Sequence, residues 1–150
     1  MVPLFAIAVF ERFFREAGGL DVDKDDLHRY DDFVQQKMYD LLVRGQATAK
    51  ANDRGVIDVV DLPITKGLQE SIHRFEHLDL AGDLTPAIGR LPIEPEMDLL
   101  LSDEARDALP TIAGGLSMAL AQSFSIIDPR LTNPSSEHWE RAFQLFRLLL

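Results

Sequence analysis

The sequence predicts an all-α protein made of two tandem units, each a short, a long and a short helix. Three observations carry that prediction. Two long stretches, residues 25–52 and 103–127, repeat apolar side chains at intervals of three and four, the mark of an amphipathic helix. Shorter stretches of the same spacing flank each of them, and clusters of Gly, Pro and Asp separate the stretches. No residue identity links the halves, so the duplication rests on element order and length. A long helix of about 27 residues spans roughly 40 Å, more than two short helices cover. A second antiparallel half would bury the face left open.

The first helix is expected over "PLFAIAVFERFFREAGG", with Leu4, Phe5, Ile7, Ala8, Phe10, Phe13 and Phe14 as its inward face and Gly18 and Gly19 as its stop. No basic residue precedes the apolar run, and it is shorter than the ~20 residues a bilayer requires. Asp23 is placed to cap the first long helix, with Asp25 and Asp26 in its first turn. Leu27, Tyr30, Val34, Met38 and Leu41 or Leu42 point inward, and Gly45 is a weak point. The chain breaks at "NDRG", extends through Val56 and Ile57, and restarts near Asp61, with Pro63 in the first turn. Ile64, Leu68, Ile72 and Phe75 form that helix's inward face.

After a turn at "HLDLAGDL" the order repeats. Thr85 caps and Pro86 opens a short helix, and "PIEPEMD" forms an acidic loop. Ser102 caps the second long helix, whose inward positions are Ala105, Leu109, Ile112, Leu116, Leu120, Phe124 and Ile127. Pro110, Gly114 and Gly115 are expected to bend it. Asn133 and Pro134 start the last helix, with a stripe of Trp139, Phe143, Phe146 and Leu150.

One compact unit is expected from 150 residues that are 46% hydrophobic. The halves would be 1–79 and 80–150. The 25 acidic and 15 basic residues give a net charge of −10, which disfavours general attraction to phosphate or anionic lipid. With no cysteine, disulfides and thiolate chemistry are excluded, and a reducing cytoplasm is the expected location.

Arg54 precedes Asp61 by seven residues across a short extended run, and this arrangement resembles the histone fold. There the resemblance implies that the arginine clamps the loop to the aspartate while the intervening residues pair, in parallel, with the first loop of the partner half. "PRLTNPSSE" partly repeats the feature: Arg130 precedes Glu137 by the same seven residues, and Thr132 follows Arg130 by two. Over nearly the whole chain, "YDLL", "ATAKAN", "DLPITKGLQESI" and "IDPRLTNPSSEHWERAFQLF" are similar to a family of short prokaryotic proteins of unknown function. In that family two histone folds are fused into a single-chain pseudodimer.

The resemblance implies non-enzymatic binding, with duplex DNA in the nucleoid placed first and Lys50, Arg54, Arg130 and Thr132 as its contacts. It also places "LDVDKDD" beside "PRLTN" and "LPIEPEMD" beside "NDRGVI". Against it stand Asp21, Asp23, Asp25, Asp26, Glu94, Glu96 and Asp98 in the first loops, with only Lys24 opposing them. Cations that displace counterions supply most duplex affinity. The competing reading is a pairing module for itself or another protein that does not touch DNA.

Other chemistry is weaker. His73 and His77, one turn apart, could grip a metal, yet Arg74 stands where a zinc protease needs Glu. A solvated helix face explains the pair. "DVDKDDLHRYDD" mimics a calcium loop through Asp21, Asp23, Asp25 and Asp32, but lacks the sixth-position glycine and the final glutamate. "DLPITKG" lacks the glycine spacing of a phosphate loop, and no spacing points to a catalytic triad. No cofactor, small-molecule substrate or membrane partner is expected.

Overall fold

The computed structural model describes residues 4–79, 82, 84–88 and 96–150. It is mostly helical: α1 (Leu4–Gly18), α2 (Lys24–Ala51), β1 (Val56–Ile57), a 3-10 turn (Val59–Asp61), α3 (Lys66–Leu78), α4 (Leu84–Ile88), β2 (Leu100–Leu101), α5 (Asp103–Ile127) and α6 (Ser136–Leu149). The side chains of Leu4 and Phe5, the residue-80 boundary, Glu94 and parts of the 77–84 turn and 92–98 loop lie outside the described residues.

Helix α1 ends at Gly19, where φ of +64° suits the residue without a Cβ. Gly19 and Leu20 N–H donate back to Arg15 and Phe14 carbonyls at 2.9 and 3.1 Å. Phe10, Phe13 and Phe14 are buried. In α2, Asp23 and Asp26 form a reciprocal capping box, and Leu27, Tyr30, Val34, Met38, Leu41 and Leu42 are all buried. A break follows at Asn52 and Asp53, the latter at φ +56°, a conformation aspartate tolerates better than most residues.

Several boundaries differ from the sequence expectation. Asp61 closes the 3-10 turn in a capping box with Asp58 and does not start α3. Leu62 is extended before Pro63, as the clash with the proline ring demands, and Thr65 caps α3 three residues later. Thr85 does not cap α4. Asp79 does so, accepting from Leu84 and Thr85 N–H at 2.8 and 2.9 Å and from the Thr85 hydroxyl. Helix α6 begins after Pro134 with Ser135, whose N–H donates to His138 Nδ1 at 3.0 Å. Leu150 is 43% exposed instead of closing the apolar stripe.

Helix α5 is the centre of the core. Of the inward positions read from periodicity, Ala105, Ile112, Leu116, Leu120 and Phe124 are buried and Leu109 and Ile127 partly so; Ala113, Gly114, Gly115, Ser117, Met118 and Ala121 are buried as well, so most of the circumference of its middle is covered. By length and composition α5 could cross a membrane, but 61% of its apolar window is buried inside the fold. Gly114 and Gly115 serve close approach: an added Cβ would lie 2.3 Å from the Phe75 ring and 2.4 Å from Ile72 Cγ1. They are the seat on which α3 rests. Gly45 has the same role for the strap, since its Cβ would meet Leu62 Cδ2 at 2.8 Å. Tyr30 of α2 meets Ser117 of α5 at 2.6 Å between hydroxyls, and burial raises the Tyr30 pKa.

Two loop pairings tie the halves of the chain. Strands β1 and β2 run parallel, Val56 beside Leu100 and Ile57 beside Leu101. At the other end of α2, Asp21 N–H donates to the Thr132 carbonyl at 2.6 Å.

Candidate nucleic-acid interface

The four residues expected to meet DNA fall at two separate places. Lys50 and Arg54 lie at the C-terminal end of α2, beside β2. Arg130 and Thr132 lie in the loop between α5 and α6, at the N-terminal end of α2. The 28 residues of α2 separate the two places by roughly 42 Å.

At the first place the cations are engaged. Arg54, partly exposed, forms a two-pronged pair with the fully buried Asp61 carboxylate, Nη1 to Oδ2 at 2.7 Å and Nη2 to Oδ1. Asp61 also accepts from Asp58 N–H at 2.8 Å. The guanidinium first, then that N–H, hold the Asp61 carboxyl below its usual 3.8. Lys50 Nζ donates to Asp98 Oδ2 at 2.7 Å, with both side chains exposed, and lowers the Asp98 pKa. The sequence did not point to this second pair. The β1–β2 register creates it, and Gln46 adds to it by accepting from Leu99 N–H at 3.0 Å.

The second place differs. Arg130 and Thr132 are exposed, and the Arg130–Glu137 clamp does not form. Glu137 accepts instead from Arg141 at 2.8 Å, because both sit one turn apart on α6 and need no long reach. Around Arg130 the acceptors are local: its own N–H donates to Asp128 at 3.1 Å. Asp21 and Asp23 lie nearby on the paired loop and Asp25 in the first turn of α2, all three exposed.

Deeper in the same end, Asp26 is buried and Arg29 reaches it at 3.1 Å. Burial raises its pKa despite the Asp23 N–H that favours the charge. The buried Trp139 indole N–H comes near that carboxylate but lies outside hydrogen-bond geometry. Asp31 is likewise raised, by burial and then by Asp32.

The histidine pair is on the surface of α3. Its rings lie 4.4 Å apart by centroid, and His77 Nδ1 is 3.1 Å from the His73 carbonyl. Asp21, Asp23, Asp25 and Asp32 stand at the start and along the first turns of α2 instead of around a loop. Among the described residues, no three His, Asp or Glu side chains converge as metal ligands would.

A family model described as a domain of unknown function, DUF1931, matches residues 10–147. The chain belongs to this DUF1931 family. An uncharacterized protein of Aquifex aeolicus (strain VF5) is 32% identical over 101 residues, 66% of this chain. The chain spans 60% of that relative's length. A crystal structure of a Thermus thermophilus protein shares 47% identity with a TM-score of 0.86, covering 96% of this chain and 97% of the other. A second, from Aquifex aeolicus, superposes with a TM-score of 0.82 at 20% identity, over 97% of this chain and 95% of that one. That second likeness is one of fold alone. The DUF1931 description carries no activity.

Proposed function

We propose that this DUF1931 chain is a histone-fold pseudodimer that acts as a non-enzymatic protein-pairing module and does not wrap duplex DNA. The fold part is supported by the short, long, short order on each side of the chain's middle and by reciprocal loop pairing. The loop after α2 joins the loop before α5 through β1–β2, and the loop before α2 joins the loop after α5 through Asp21 and Thr132. In the histone fold these paired loops are the places that hold phosphate.

One observation carries the functional part: at the β1–β2 pairing the cations are already neutralised, and carboxylates crowd both pairings. Lys50 is held by Asp98 and Arg54 by Asp61, while Asp21, Asp25 and Glu96 remain exposed. Duplex affinity grows with each phosphate a cation neutralises, and carboxylates at the same place subtract from it. The second reading, duplex binding, is favoured by Arg130 and Lys24, exposed cations with no ion-pair partner among the described residues. Two such cations beside three exposed aspartates are too few for wrapping.

Fluorescence anisotropy of a labelled duplex, titrated with the protein at two salt concentrations, tests the proposal. No rise is expected at micromolar protein in low salt. Micromolar binding that weakens steeply with salt would overturn the proposal in favour of DNA.

A further inference from the structure

Among the described residues, ten large apolar side chains are exposed, and four of them gather at one groove between α2 and the end of α6: Tyr39, Val43, Leu149 and Leu150. Leu149 is 74% exposed. A groove of about 530 Å³ opens there, floored by Leu41, Leu68 and Leu116 and edged by Lys37, Asp40 and Arg44. Concentration of this kind marks an interaction surface on a soluble domain more often than scattered leucines do.

The charges at its edge indicate what covers it. In a chain of net charge −10, two copies repel each other over most faces, yet the exposed charges at this edge are balanced, Arg44 against Asp40, with Lys37 buried beside Asp40. Arg44 is exposed and has no ion-pair partner among the described residues. Asp40, one turn before it, is about half exposed; it accepts from Gln36 at 2.9 Å and lies 3.7 Å from Lys37, which leaves acceptor capacity on its two oxygens. A two-fold interface requires a patch that complements itself. If two α2 helices cross antiparallel near Leu42, Asp40 of each copy stands opposite Arg44 of the other, and Tyr39 and Val43 fill the space between.

We propose that this face, formed by the outer side of α2 and the end of α6, pairs two copies of the chain about a two-fold axis. The inference deepens the protein-pairing function by naming the partner as a second copy, and it stands on residues remote from the loop ends. It completes no catalytic site. It makes the α2–α6 face the working surface of the pairing module.

Sedimentation velocity and light scattering over a dilution series test it directly. The expected mass is about 34 kDa at roughly 100 µM protein, twice the 16.9 kDa chain. Leu149→Glu, on an exposed side chain that lines the groove, should weaken the dimer roughly tenfold or more, with the circular dichroism melt unchanged. Asp40→Arg and Arg44→Glu should each weaken it as well. The double variant Asp40→Arg/Arg44→Glu should restore it, because a two-fold axis exchanges both members of each pair. A 16.9 kDa species throughout, an open series of larger assemblies, or a folded double variant that stays monomeric would each overturn the proposal. A monomer that also ignores duplex DNA leaves the pairing function standing with a different partner. A dimer that binds duplex overturns that function and keeps this interface.

Discussion

Gly114→Ala should lower the thermal midpoint by about 4–8 °C, corresponding to roughly 2 kcal/mol for a chain of this size. An alanine Cβ would sit 2.3 Å from the Phe75 ring. Phe75 is fully buried and lies 6.2 Å from Phe13 by ring centroid, so it has little room to move aside. Overpacking of this kind costs about 1–3 kcal/mol or more, and the gain of up to about 1 kcal/mol from replacing a helical glycine offsets only part of it. Adding Phe75→Leu to Gly114→Ala should recover part of the loss relative to Phe75→Leu alone. Gly67→Ala provides the opposite sign: no atom lies within 4 Å of its Cβ position, and the same substitution should stabilise α3 by a few tenths to about 1 kcal/mol. Circular dichroism melts of the variants check all of this. A Gly114→Ala midpoint equal to that of the native chain would show that α3 does not rest on α5 through the glycines.

Arg54→Ala should also lower the melting midpoint, and the loss should depend on pH. Asp61 has its pKa depressed in the folded protein by Arg54 first and Asp58 N–H second, so folding favours its charged form. The stabilisation is complete above the unfolded value near 3.8 and is lost as pH falls through the folded one. The difference between native chain and variant should therefore be widest near neutral pH and shrink on acidification below the ordinary carboxylate value of 3.8. Melts at a series of pH values measure it. A gap independent of pH would mean that Arg54 acts through packing alone.

The long helices were legible because the core lies on one side of α2 and under most of α5, so the three-and-four spacing survives in the sequence. Arg54 and Asp61 were legible for a different reason: both lie on one strap, within seven residues. What was missed depends on long-range neighbours. Nothing near Lys50 announces Asp98, 48 residues away, until β1 and β2 pair. Tyr30 and Ser117, 87 residues apart, look like an ordinary inward aromatic and a neutral serine. Gly114 and Gly115 looked like a bend because the sequence does not show that Phe75 and Ile72 approach them. Arg130 and Glu137 matched a spacing, but Glu137 had a nearer partner in Arg141 on its own helix.

The exposed apolar end of α6 was hidden for a related reason. Trp139, Phe143, Phe146 and Leu150 share a helical stripe, and the stripe alone suggests burial along its whole length. Phe33 packs against Phe143 and Phe146 at 5.5 and 4.9 Å between ring centroids, whereas Leu150 extends to the open groove. A periodic pattern identifies the face of a helix, and the length of its partner decides how much of that face is covered.

If carboxylates at the paired loops keep phosphate away, removing their charge should admit it. A labelled duplex is titrated at low salt with the native chain and with a variant carrying Asp21→Asn, Asp23→Asn, Glu96→Gln and Asp98→Asn. Asparagine still caps α2 at position 23, and loss of the Asp98 charge frees Lys50. The native chain should not bind, and the variant should bind in a salt-sensitive way. Equal binding by both, or tight binding by the native chain, would contradict this role of the carboxylates.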